Sequence, residues 1–150
     1  MGFFDRIRKG NLFFGRKEVP TMIVRFLFKG KQYIVEEFDL DFKQDVSDSG
    51  KPNSFPYGGQ MAITISDIPD DNINSWMMDT HRTQDGEIHF LSNEGMIREG
   101  ALLQIHFKEA YCVNYRKVMN PKGSGVLTTL VISPRIIKMG NEEFRNSWSE

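Results

Sequence analysis

Little in this 150-residue sequence invites covalent or metal chemistry. Cys112 is the single cysteine, so neither an internal disulfide nor a cysteine-based zinc module can be built, and a reducing folding compartment is the simpler expectation. Histidine is equally scarce. His81, His89 and His106 make no H-E-x-x-H pair and no other tight ligand spacing, so no metal and no cofactor is expected. Neither sign of charge is in excess: 19 Lys and Arg stand against 20 Asp and Glu, and a formal charge of -1 sets up no field that would draw nucleic acid or an anionic membrane. The nucleophile elbow G-x-S-x-G, the P-loop and the Rossmann fingerprint are all missing. No apolar run is long enough for a secretory leader or a membrane span, and Arg6 stands where a myristoylation signal needs Ser or Thr. No signal peptide, lipid anchor or stable membrane insertion is expected.

Two groupings of reactive side chains remain. His106, Glu109 and Cys112 are close in sequence, but period-two alternation puts Glu109 on the strand face opposite the other two. A Cys-His pair would also need an orienting group and a cleft, so Cys112 is expected to be structural. Glu36, Glu37, Asp39 and Asp41 supply clustered carboxylates. Alternation sends Glu37, Asp39 and Asp41 to the face opposite Phe38, Leu40 and Phe42, as on a solvated strand. No catalytic residue is expected. Aromatics interleave with few basic residues beyond the N-terminal stretch, which gives an RNA-binding sheet no support.

What the sequence does have is strand pattern. Residues 1–21 form an extension in which Phe3, Phe4 and Ile7 can share a face of a short helix, either as a flexible or partner-docked tail or in contact with a membrane. The domain is expected over 22–150. Strands over 22–28 and 33–42 flank Lys29-Gly30-Lys31-Gln32, where Gly30 can supply the positive φ of a tight hairpin. The apolar parity shifts between Val35 and Phe38, implying a bulge. Residues 45–59 are rich in Gly, Pro, Ser and Asp and lack periodicity, so a long loop of the kind that is usually functional or disordered is expected between the second and third strands. Phe55 and Tyr57 inside it need a cover, from their own domain or from a partner.

A strand over 60–66 follows, then one helix over 69–80. Asp70 or Asp71 can cap it, and Ile73, Trp76, Met77 and Thr80 fall on one face. Further strands are expected over 86–91, 101–116 and 126–137, with turn regions over 92–100 and 120–125. In the 101–116 strand, Leu103, Ile105, Phe107, Tyr111, Val113 and Tyr115 line one face, and 126–137 reads as covered on both faces. The tail from Gly140 is polar, with Trp148 as its anchor. The fold class is mostly β, a small barrel or sandwich of about six main strands with one helix.

From Met22 to Trp148 the chain resembles the haemolysin-coregulated protein family (Hcp or TssD), the tube proteins of type VI secretion systems, in its Bacteroidetes form. The resemblance rests on the hairpin 26–35, on Pro56-Tyr57-Gly58-Gly59, on Trp76-Met77 and on Gly86-Glu87-Ile88-His89-Phe90. Its most specific stretch is Phe107 to Tyr115, with Ala110, Tyr111, Cys112, Val113 and Tyr115 matching the family's A-Y-C-V-x-Y strand; residues 137–141, Asn146 and Trp148 follow in order. The resemblance implies a β-barrel that forms hexameric rings and stacked tubes without catalysis. Its partners would be itself and the sheath, spike and effector proteins of the machine. A cytoplasmic protein exported through that apparatus is implied. Asp45, Asp48, Lys51, Phe55, Pro56, Tyr57, Gly58 and Gly59 become the candidate assembly loop. The chain departs from the family in residues 1–21, in Arg116-Lys117, where relatives often carry an acidic residue, and in Phe144, where they often show His, which suits a specialised paralogue.

Three other readings compete. A phage-like tail-tube protein shares the barrel-ring logic. A monomeric or dimeric module could grip a peptide or effector with the Phe55 and Tyr57 loop. A small hydrolase lacks its cleft constellation.

Overall fold

The computed structural model describes residues 22–92, 101–120, 122–123 and 125–148. Residues 1–21, 93–100, 121, 124 and 149–150, on which the expected extension and parts of the expected turn regions fall, lie outside the described residues. The elements are β1 (Met22–Phe28), β2 (Lys31–Lys43), β3 (Tyr57–Ile65), α1 (Asp71–Met78), β4 (Thr83–Ser92), β5 (Ala101–Asn120), β6 (Gly125–Met139) and β7 (Glu142–Arg145). The strands pair antiparallel in the order β3-β2-β1-β4-β5-β6-β7, and β6 also pairs with β3. That extra ladder closes six strands into a barrel and leaves β7 as an annex. Residues 128–132 of β6 face β3 and 136–139 face β7. Pro134 falls between the two segments, where a residue without an N–H is best tolerated.

The first hairpin is tighter than its sequence implies. Lys29 (φ 50°) and Gly30 (φ 77°) alone form the two-residue turn, and Lys31 already belongs to β2. Two successive positive φ angles match the twist of the flanking strands. The parity shift in β2 is a bulge: its ladder with β3 slips between Val35 and Glu37. Tyr33 and Val35 point inward before the slip, and Phe38, Leu40 and Phe42 pack on the core after it. Residues 57–59, expected in the loop, start β3 instead.

The long strand β5 corrects its sequence reading. Glu109 has φ 50°, and the ladder with β6 slips again between Cys112 and Asn114. A non-glycine residue in the left-handed region costs about 1–2 kcal/mol, and the Asp85 carboxylate offsets part of it by accepting the Glu109 N–H at 2.9 Å. The inward set therefore runs Ile105, Phe107, Ala110, Cys112, with Tyr115 packed against the core beyond it. Val113 and Leu103 are exposed and Tyr111 is only half-buried, contrary to a single continuous apolar face. Coverage of β6 on both faces is also not found. Leu130, Ile132 and Ile137 are buried inside, but Leu127 is exposed and Val131 and Ile136 are half-buried outside.

Asp70 caps α1, its carboxylate accepting from the N–H groups of Asn72 (3.1 Å) and Ile73 (3.3 Å). The helix stops at Met78, because Asp79 is extended (φ −100°, ψ 112°), so Thr80 lies outside it and exposed. Ile73 and Trp76 are its buried residues. Trp76 stacks on Phe28 (4.8 Å between centroids, 16°) and lies parallel to Phe107 (6.2 Å, 4°), and Phe26 extends the stack. Met61, Ile63, Ile65, Ile88, Leu130 and Ile132 fill the rest of the interior. Among the described residues the barrel interior is a packed core of buried side chains.

The tail is more than a polar end with one anchor. Trp148 packs on Tyr111 (5.4 Å) under the Arg135 guanidinium (5.1 Å from the ring), but β7 precedes it and sets Phe144 edge-on against Phe42 (4.9 Å).

Candidate assembly surfaces

The β2–β3 loop is folded on itself. Val46 and Pro52 form an antiparallel bridge, and the Ser47 N–H donates to the Lys51 carbonyl (2.8 Å). The Asn53 N–H donates to the Asp45 carbonyl (2.9 Å), and the Asp45 N–H to Ser54 Oγ (2.7 Å). Tyr57 Oη donates to Asp45 Oδ1 at 2.9 Å, and this bond raises the phenol pKa. Asp45 and Tyr57 thus act as a strut across the base of the loop. Asp48 and Lys51 are exposed near its turn.

Gly58 and Gly59 set where the loop joins the barrel. Both have positive φ (106° and 76°), and Gly59 is the bulged residue, since Asp41 faces Gln60 while Phe42 faces Gly58. A Cβ at Gly58 would lie 2.9 Å from the Asp41 carbonyl oxygen, and one at Gly59 3.0 Å from Ile137 and from the Phe144 ring. Only glycine lets the chain pass this close to β2 and β7. Asn146 Nδ2 donates to the Gly58 carbonyl (3.3 Å) and ties the junction to the tail. Phe55, just before this junction, is 90% exposed. A phenyl ring held in water by an ordered loop is the least explained apolar group on the described surface.

The loop and the helix occupy opposite ends of the barrel. Asp70 at the head of α1 accepts from Lys31 Nζ (2.5 Å) and Tyr33 Oη (3.0 Å) at the start of β2, and the loop departs from Lys43 at its end. At about 3.3 Å per residue, a strand of this length sets the two ends up to roughly 40 Å apart.

The other sequence candidates sort clearly. Trp76, Phe107, Ala110 and Cys112 are core residues. Tyr115 donates from Oη to Asn74 Oδ1 (3.0 Å) and secures α1, whereas Val113 is 48% exposed and belongs to no core. The slip at Glu109 changes the geometry expected around Cys112. His106 and Glu109 share the outer surface and Cys112 faces inward, where burial pushes its thiol up to about 11. A thiol so raised is a poor nucleophile. His106 instead meets Glu87, whose Oε1 lies 3.1 Å from His106 Nδ1 and 3.2 Å from His89 Nε2. Among the described residues no group of three His, Cys, Asp or Glu side chains is arranged to hold a metal ion, and no helix is long and apolar enough to cross a membrane. Sequence reasoning named Phe144 as a departure from the family and Asn146 within the matched tail, but missed that Phe144 packs on Phe42 and that Asn146 ties the loop junction to the tail. The one signal available was an apolar residue in an otherwise polar tail.

Comparison with known proteins follows the same lines. The family model for Hemolysin coregulated protein Hcp (TssD) matches residues 21–149. No curated protein sequence matches the chain. Among solved structures, Hcp1 from Flavobacterium johnsoniae is similar with a TM-score of 0.75 and 27% identity, over 83% of this chain and 99% of that one. Hcp1 from the E. coli EAEC 042 pathovar has a TM-score of 0.65 at 12% identity, over 87% of this chain and 100% of that one. The sheath-tube complex of an extracellular contractile injection system, PVC, shares the fold alone, with a TM-score of 0.51 and 10% identity over 83% and 92%. With the matched region covering the whole described barrel, the chain belongs to the hemolysin-coregulated protein (Hcp, TssD) family of structural tube proteins.

Proposed function

We propose that this chain is a subunit of the inner tube of a type VI secretion system, in which six copies form a ring, rings stack end to end, and effectors travel with the tube. It works by assembly and not by catalysis. Sheath and spike proteins are its partners in the machine, and the cytoplasmic protein leaves the cell through that apparatus. The observation that carries the reading is Phe55, exposed on an ordered loop at the barrel end remote from α1. A knob at one end of a subunit and a different surface at the other is the arrangement that propagates a head-to-tail stack. Asp48, Lys51, Phe55 and Pro56 make the contact. Asp45, Tyr57, Gly58 and Gly59 hold the loop in shape.

The test compares wild type with Phe55→Ser and with a deletion of 47–54, by sedimentation and negative-stain imaging. The exposed Phe55 contributes little to the fold, so its removal should change stability by no more than about 0.5 kcal/mol. Rings are expected to persist while stacking is lost. Unchanged stacking refutes the loop assignment, and a monomer at every concentration refutes the tube reading.

A further inference from the structure

The outer surface of the barrel is electrically divided along its circumference. On β2, Glu37, Asp39 and Asp41 all face outward, because their neighbours Phe38, Leu40 and Phe42 face the core. Lys43 lies 3.6 Å from Asp41; Glu37 and Asp39 make no ion pair among the described residues. On β5 the outward positions include Lys108 and Arg116, both exposed and without an ion pair among the described residues. The β5–β6 face also carries the exposed apolar side chains Val113 and Val118. Arg135 of β6 pairs with Glu109 of β5 (3.9 Å), so these two charges offset each other and Lys108 and Arg116 carry the positive charge of the face.

Topology puts the two faces opposite each other. In the closed order, β1 and β4 separate β2 from β5 on one side, and β3 and β6 separate them on the other. Two strands intervene whichever way round the barrel is followed. A subunit with an acidic flank and a diametrically placed basic, partly apolar flank is built for side-by-side heterologous contact with identical copies, the contact type that closes into a ring.

We infer that the acidic outer face of β2 docks on the Lys108–Arg116 face of β5 in the next copy, and that this pairing sets the handedness and register of the ring. The inference rests on the tube reading and names the lateral surface that the reading leaves open. Val113, between the two cations, and Val118, just beyond Arg116, supply the dry part of the contact and the charges supply its orientation.

Two variants of the full chain test it: Glu37→Lys with Asp39→Lys on β2, and Lys108→Glu with Arg116→Glu on β5. All four positions are exposed and make no ion pair among the described residues, and circular dichroism checks that each variant keeps the wild-type fold. Each variant alone presents like charges across every lateral contact and should associate at least about tenfold more weakly than wild type by sedimentation velocity. An equimolar mixture alternates the two, restores opposite charges at every contact, and should recover the wild-type assembly mass in an even-membered ring. Assembly of either variant with wild-type affinity, or a mixture that stays dissociated, overturns the face assignment while the tube reading stands. A wild-type chain that never associates overturns both.

Discussion

Replacing Trp76 with Phe separates hydrogen bonding from packing in the core. The indole Nε1–H donates to the Ala110 carbonyl at 2.9 Å in a fully buried setting. Pro134, opposite Ala110 on β6, has no N–H to offer that oxygen, so the indole is its donor. Phe keeps most of the stack with Phe28 and Phe107 but leaves the carbonyl unsatisfied, which costs about 1–3 kcal/mol. The smaller ring loses about 1 kcal/mol more in buried area at roughly 25 cal/mol per Å². The expected loss is about 2–4 kcal/mol, close to the range for complete truncation of a buried aromatic, about 3–5 kcal/mol. In a chain of this size it corresponds to a fall in Tm of roughly 5–15 °C. Urea unfolding followed by far-UV circular dichroism measures it, since the substitution removes one of the two indoles and distorts fluorescence. Subunit concentration must be held fixed, because assembly adds stability by mass action. A loss of about 1 kcal/mol or less would show that only ring area matters and refute the role given to the Ala110 carbonyl.

Gly86 has an ordinary φ, yet a Cβ there would meet Phe107 Cζ at 2.5 Å; Gly86→Ala should lose about 1–3 kcal/mol by overpacking, and a wild-type urea midpoint would show that the ring has room to move. Asp70 titrates below the usual carboxylate range, chiefly because Lys31 hydrogen-bonds it, with Tyr33 and the Ile73 N–H adding to the effect and burial opposing it. A depressed pKa gives stability that is present above the unfolded-state pKa, near 4, and is lost as pH falls through the folded value. Asp70→Asn should therefore lose about 1 kcal/mol or less at pH 7, since the pair is partly exposed, and show a flatter fall in stability between about pH 5 and pH 2. Identical pH slopes for the two proteins would remove Asp70 from the account.

The sequence made some of these features legible and hid others for identifiable reasons. The slip in β2 was visible because large apolar residues stand on both sides of Glu36, so the change of parity left a mark. The slip at Glu109 left none. Tyr111, Val113 and Tyr115 prolong the odd-numbered apolar pattern of Ile105 and Phe107, and the acceptor that holds Glu109 in place, Asp85, lies 24 residues away in sequence. Strand β7 was hidden because Phe144 is the one apolar residue among its charges, and its partner Phe42 sits on a distant strand. Loop composition located the β2–β3 connection and singled out Phe55, but the Asp45–Tyr57 strut depends on a turn that composition does not specify. The same limit applies to the opposed charged flanks. Alternation identified a solvated acidic face on β2, but only the β3–β6 closure places β5 across from it.

That closure also constrains how copies can meet. Once β6 is engaged by β5 on one side and by β3 and β7 on the other, its edges are used, and pairing with a neighbour must go largely through faces and loop ends. In the proposed assembly the two directions then rest on different physics. The axial contact depends chiefly on Phe55, an apolar knob whose burial is insensitive to ionic strength, with the charges of Asp48 and Lys51 at its edge. The lateral contact depends on exposed carboxylates and cations, whose attraction fades beyond a screening length of about 8 Å at physiological salt. Heterologous contacts that close give rings, and those that do not close give filaments. A subunit that assigns charge to the first and an aromatic ring to the second can make and break them independently, which a tube built ring by ring requires.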